Sequence, residues 1–205
     1  MHNEALTKEG TVLFPLLRAF DDFYLAGGTA LALQIGHRIS VDFDLFSPEP
    51  IPKTLLARAK QVFAGHPVQP VVNNPDELTA IVGQVKVTFL LYPFPVLDPL
   101  VGHDGLKLLS VREIGATKAY SIGRRGTYKD YVDLYFILNE GHANLAQIVS
   151  IAERKFGIEF NSRLFTEQLL FMDDIQDFKI DFLHEPLSRE TMHERFSRDI
   201  RGLVL

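Results

Sequence analysis

Apolar residues recur at gaps of three and four through Val12, Leu13, Leu16, Leu17 and Phe20, which predicts an opening amphipathic helix over 12–20 with Pro15 near its start. Phe23-Tyr24-Leu25-Ala26 then reads as a short buried strand. It runs into Gly27-Gly28, after which Thr29 can cap a helix through Ile35 that Gly36 ends. From Ile39 to Phe46 apolar and polar residues alternate, the signature of a half-buried strand, so Asp42 and Asp44 share one face. Leu55, Leu56, Ala59, Val62 and Phe63 give a second helix, and extended runs follow at 68–72 and 78–82. Gly83-Gln84 suits a two-residue hairpin into Val85–Leu91, whose odd positions are all apolar.

The proline-bearing stretch Pro93–Pro99 cannot continue a central strand and marks the boundary between two patterns. Beyond it the periodicity is helical. Ser110 with Glu113, and Thr127 with Asp130, are capping-box signatures for helices that Gly123 and Gly141 would stop. Three more helical patterns lie near 144–156, 162–174 and 188–203. The fold class expected is α+β: a small mixed sheet flanked by helices over 1–100, then a helical portion over 104–205 that closes one side of a cleft.

Composition narrows the function. Of 205 residues, 46% are apolar and sixteen are phenylalanine, enough to bury a core that offsets the entropy of ordering the chain. A formal charge of −5 argues against gripping nucleic acid by bulk positive charge, so any such grip must be local. Cysteine is absent, which removes disulfides, thiolate metal sites and cysteine nucleophiles. No stretch approaches the roughly 20 apolar residues of a membrane span, and no basic n-region with an apolar run opens the chain. The expectation is a cytoplasmic protein without membrane contact.

Carboxylates at i and i+2 on a strand stand roughly 6.6 Å apart along its axis and can both lean toward one hard cation that also carries a phosphate oxygen. Asp42 and Asp44 have that spacing, though two outward acids on an edge strand are also common. Upstream, the bare backbone of Gly27-Gly28 would let a polyphosphate approach the start of the Thr29 helix, where unpaired N–H groups and the positive dipole end lie. An ordinary tight turn with Thr29 as cap is the simpler reading of the same residues. Together, the Gly-Gly-Thr turn and the Asp pair favour an adjoining phosphate and metal site. Neither a dinucleotide-binding glycine fingerprint nor a Walker loop occurs.

Leu25–Leu33 followed by Gly36–Phe46 resembles the AbiEii/AbiGii-type nucleotidyltransferase toxins, and Lys129-Asp130-Tyr131-Val132-Asp133 matches their second element, Lys-Asp-x-x-Asp. The likeness is dense over 24–46 and 104–138. It implies a polymerase-β-like nucleotidyltransferase domain, Mg2+ held by Asp42 and Asp44, a nucleoside triphosphate donor, an acceptor that in some relatives is transfer RNA, and a cognate antitoxin partner. Gly27, Gly28, Thr29, Arg38, Ser40, Lys118 and Lys129 would bind the nucleotide, and Asp130 and Asp133 would join Asp42 and Asp44 in catalysis. One position departs from the superfamily, which places a third carboxylate on a later strand: Val85–Phe89 offers only Lys86 and Thr88 on its polar face. A catalytically reduced fold that binds nucleotide, nucleic acid or protein is therefore the alternative.

The remaining charged residues can be read from spacing. Lys118 lies four residues after Ile114 and seven after Val111, on the apolar side of its helix, where an ammonium either snorkels or meets an anion. Lys118, Arg124, Arg125 and Lys129 form a local cationic group, suited to a triphosphate or an RNA backbone, with an ordinary solvated loop as the alternative reading. Asp130 and Asp133 share a helix face, with Asp130 at a capping position and Asp133 four residues after Lys129. Arg38 could complement its helix dipole, reach Asp42 or meet a phosphate.

Overall fold

A computed structural model describes all residues except 173, 174, 177, 178, 204 and 205. Two compact units divide the chain: residues 1–95 with 99–109, and residues 96–98 with 110–205. No helix among the described residues is long and apolar enough to cross a membrane.

In the first unit, Thr7 accepts the Gly10 N–H at 3.0 Å and opens α1 (Lys8–Leu13). The helix expected over 12–20 is divided: after Leu13 the chain tightens into a 3-10 helix over Phe14–Ala19, where Pro15 has no N–H to give the α-helical ladder. The strands are β1 (Tyr24–Ala26), β2 (Phe43–Ser47), β3 (Val68–Asn73), β4 (Glu77–Val82), β5 (Val85–Leu91), β6 (Val101–His103) and β7 (Leu106–Leu108), with α2 (Gly27–Ile35) and α3 (Leu55–Val62) between them. They form one mixed sheet in the order β3-β4-β5-β2-β1-β7-β6. β2 pairs antiparallel with β1 and parallel with β5, so it is a central strand.

One face of this sheet carries the phenylalanine core. Phe89 on β5 meets Phe20 and Phe23 at ring-centroid distances of 4.7 and 5.1 Å, and Phe63 packs on Phe20. Leu25, Phe43, Leu45 and Val87 are buried with them. The strand expected from Ile39 begins only at Phe43. Residues before it leave the sheet because Ser40 bridges Leu6 and donates its N–H to the Ala5 carbonyl at 2.8 Å.

The second unit contains α4 (Val111–Arg125), α5 (Tyr128–Asn139), α6 (Leu145–Phe156), α7 (Ser162–Leu170) and α8 (Arg189–Arg201). Gly123, expected to stop α4, lies inside it; the helix runs on to Arg125. Thr127 opens α5, its N–H and its hydroxyl both donating to Asp130 Oδ2 at 2.9 Å. At α4 only half of the expected box forms. Ser110 accepts the Glu113 N–H at 3.3 Å, but the Glu113 carboxylate turns to Lys155 at 2.8 Å and to the Asp98 N–H at 3.0 Å. Both side chains of the Glu113–Lys155 pair are fully buried. Gly115 leaves room for Ile148, whose Cδ1 would lie 3.1 Å from any added Cβ. The helix expected over 162–174 ends at Leu170, and its last two positions lie outside the described residues.

Candidate active site

On β2, buried Phe43 and Leu45 alternate with half-buried Asp44, while half-buried Asp42 immediately precedes the strand. Asp44 stands opposite Ala26 of β1 and Thr88 of β5, in the middle of the sheet. The turn after Ala26 comes up against it. Gly27 has φ +65°, and a Cβ built there would fall 2.5 Å from Asp44 Oδ2. Glycine is required twice over, by the backbone angle and by the carboxylate that occupies the side-chain space. The Asp44 carboxylate is thus directed at the glycine turn.

The turn differs from the expectation in one respect. α2 begins at Gly27 with Ala26 as its N-cap, so Thr29 lies within the first turn rather than capping it. Its buried hydroxyl instead reaches Ser40 Oγ at 2.7 Å and donates to the Asp42 carbonyl. Thr29 and Ser40 thereby tie the start of α2 to the backbone that carries Asp42. Arg38 is buried, and its guanidinium donates to the Ile39 carbonyl at 3.1 Å. Lys86 of β5 was not singled out by the sequence as a partner, yet its Nζ lies 3.3 Å from Asp42 Oδ2. Both side chains keep substantial solvent contact, 45% for Lys86 and 36% for Asp42, so water screens the pair.

Does this set suit a divalent cation? The donors are hard carboxylate oxygens, and one is held beside a side-chain-free turn. Among the described residues no group of three or more His, Cys, Asp or Glu converges as a ready-made metal cage. Mg2+ does not need one: it retains several waters and is commonly bound by one or two carboxylates together with substrate phosphates. The Asp42–Asp44 pair beside the glycine turn fits that mode.

In the second unit, Lys118 of α4 meets an anion, as its position on the apolar side of the helix anticipates. Its Nζ lies 2.8 Å from Asp130 Oδ1 and 2.7 Å from Asp133 Oδ2. The Asp133 side chain is fully buried, and its cationic partner is Lys118 rather than the Lys129 offered by sequence spacing. Lys129 is half-buried in the first turn of α5. Arg124 stacks on the Tyr120 ring at 4.4 Å and pairs with Glu159 at 3.2 Å. Burial, followed by a 2.7 Å hydrogen bond to Glu159, pushes the Tyr120 hydroxyl above its ordinary pKa. Arg125 and Thr127 line a cavity of about 300 Å3 in this unit.

Residues 12–204 match the family described as nucleotidyl transferase AbiEii toxin, type IV TA system. The chain is similar to the uncharacterized protein aq_aa25 of Aquifex aeolicus (strain VF5), with 29% identity over 184 residues that cover 88% of this chain and 87% of that one. Its fold is similar to that of JHP933 from Helicobacter pylori, at a TM-score of 0.57 and 14% identity over 96% of this chain and 97% of the other. A candidate nucleotidyltransferase of H. pylori superposes with a TM-score of 0.55 at 18% identity, over 78% of this chain and 72% of that one.

Proposed function

Because the chain belongs to the AbiEii nucleotidyl transferase toxin family, we propose that it transfers a nucleotide from a nucleoside triphosphate to an acceptor hydroxyl, with RNA as the acceptor class, and that it acts as the toxin of a pair whose antitoxin restrains it. The observation that carries this reading is the Asp44 carboxylate against the bare Gly27 turn, with Asp42 two residues before it tied through its carbonyl to Thr29 of the same turn. Asp42 and Asp44 would hold Mg2+, which when bound neutralises phosphate charge.

The chain's own residues account for the rest. Gly27 and Gly28 let phosphate oxygens approach the start of α2, where backbone N–H groups and the helix dipole favour anions. Thr29 and Ser40 hold the Asp42 backbone to that turn, and Arg38 adds positive charge for the nucleotide. In transfer, the acceptor oxygen bonds to the α-phosphorus as the bond to the β-phosphate bridge breaks. Pyrophosphate leaves, and the hydroxyl proton passes to a carboxylate. In the second unit Lys118 balances the charge of Asp130 and Asp133.

The test is to incubate the protein with each labelled nucleoside triphosphate, Mg2+ and total RNA, alongside the Asp42→Asn/Asp44→Asn variant. Label on RNA with the parent protein, lost in a folded variant, supports the reading; equal labelling by both sinks it. A second reading has one specific observation behind it: Thr88, not an acid, stands opposite Asp44. Here the fold binds nucleotide or RNA without turnover, and calorimetric binding with no modified product by mass spectrometry would favour it.

A further inference from the structure

The second unit carries a row of hydrogen-bond donors that the proposed reaction does not use. Asn144, which caps α6, and Gln147 and Arg154 of that helix line a groove of about 430 Å3 together with Arg112 of α4. Asn144 also lines an adjoining cavity of about 310 Å3, which brings in Arg198 of α8. The helix start orients the two amides. The Gln147 N–H donates to Asn144 Oδ1 at 2.9 Å, and the Asn144 N–H donates to Gln147 Oε1 at 3.0 Å. A backbone N–H only donates, so the atom it meets is the amide oxygen in each case, and the NH2 groups remain as donors. The acids lining the two cavities are taken. Asp98 accepts from Arg112 at 3.1 and 3.2 Å and from Ser110 Oγ at 3.2 Å, and Asp199 accepts from Arg195 at 2.9 Å. Arg154 and Arg198 are exposed, and among the described residues no ion pair holds either.

A row with donors to spare and its carboxylates neutralised is complementary to an anion, and its length says which kind. From Asn144 to Arg154 the helix rises about 15 Å. Each strand of a nucleic acid helix carries one phosphate per roughly 3.4 Å, so the row outreaches any single phosphate. Resting on the reading of RNA as the acceptor class, we infer that it is a docking track for RNA, on which Arg154, Arg198 and the Asn144 and Gln147 amides hold successive phosphates of one strand. The track reads no sequence, because the backbone is the same at every nucleotide. It supplies the local grip that a chain of net charge −5 needs.

Binding of a labelled single-stranded RNA to the full chain, without Mg2+ or nucleoside triphosphate, tests this over a range of salt. For single strands the logarithm of affinity falls with that of salt by about 0.7 per phosphate neutralised. Arg154→Gln and Arg198→Gln should each flatten that slope by about 0.7 and weaken binding by up to about fivefold, the worth of an exposed ion pair. Arg163→Gln, an equal loss of charge at a residue that lines neither cavity, should leave the slope as it is. Gln147→Glu keeps an oxygen for the Asn144 N–H but exchanges the NH2 donor for an anionic acceptor, so RNA binding should weaken with no loss of thermal stability; a purely helix-capping Gln147 predicts no change in binding. Unchanged slopes in the Arg154 and Arg198 variants, or equal flattening by Arg163→Gln, would overturn the track and leave the proposed reaction standing wherever the parent protein still labels RNA. So would a parent that binds no RNA. Flattened slopes in a protein that labels no RNA keep the track and remove the reaction. Binding of poly-glutamate or inorganic phosphate that depends on the two arginines, where RNA binding does not, would assign the row to an acidic protein or a free anion and overturn the track as well.

Discussion

Asp42 and Asp133 are both aspartates paired with a lysine, and their surroundings make them opposite kinds of group. Asp42 faces Lys86 at 3.3 Å in contact with water, whereas Asp133 lies fully buried 2.7 Å from Lys118, which Asp130 also holds. An exposed pair contributes little and exchanges readily for another cation; a buried one is expensive to open because each partner would be left charged in a poor solvent. The second unit repeats the buried arrangement in Glu113–Lys155. The Asp42 carboxylate of the first unit is therefore open to a ligand, while the charge of Asp133 and Glu113 in the second is committed to holding helices together.

The largest effect should come from breaking a committed pair on one side only. Lys155→Ala strands Glu113 in the interior and should destabilise the protein by about 3–5 kcal/mol, seen as a lower urea midpoint with an unchanged slope. Replacing both partners by apolar residues of similar volume, Glu113→Leu with Lys155→Met, should restore most of that loss. If the single change proved as mild as the double, the interior around α4 and α6 would have to be wetter than its burial indicates.

Next comes Gly27→Ala, where two penalties coincide. Left-handed backbone costs a non-glycine residue roughly 1–2 kcal/mol, and the new methyl would fall 2.5 Å from Asp44 Oδ2, so the carboxylate must move. Destabilisation of that size together with loss of Mn2+ binding is expected. Gly83→Ala controls for the backbone alone: φ is +62° and no atom lies within 4 Å of the added methyl. It should show a similar stability loss with cation binding intact.

The Asp42–Lys86 pair sharpens the comparison from the other side. Asp42→Asn should change thermal stability by less than about 1 kcal/mol, the range of exposed ion pairs, while weakening cation binding. A large stability loss would mean that this acid, too, is structural.

The same contrast explains what the sequence discloses. Local signals survive folding: the strand, turn and helix over Tyr24–Ile35, the hairpin at Gly83-Gln84 and the Thr127–Asp130 box all follow from short-range geometry. Asp44 lies within the strand that alternation predicts, whereas Asp42 just precedes it. β6 and β7 escaped notice although Asp104-Gly105, with φ of 48° and 81°, is a strong two-residue hairpin signal, because strands of three residues carry too little alternation to register. Partners that depend on tertiary pairing were not legible. Glu113 reads as half of a local cap until Lys155, 42 residues on, is seen to claim it. Nothing in the spacing of Thr88 joins it to Asp44; only the pairing of the strands does.

The smallest effect expected is that of Lys86→Met, and it tests the premise that Asp42 is available. Lys86 is a competitor for the cation, since its ammonium occupies one side of the Asp42 carboxylate at 3.3 Å. Removing it should alter stability by less than about 1 kcal/mol and should raise Mn2+ affinity by no more than about fivefold, the worth of a water-screened pair at that distance. The gain should shrink as salt rises from 10 to 150 mM, roughly the range over which the Debye length falls below 10 Å. Were Lys86 instead a seat for phosphate, the same variant would leave Mn2+ binding alone and weaken binding of the nucleoside triphosphate. Titrations of cation and nucleotide on one variant thus decide whether the lysine competes for Asp42 or serves the substrate.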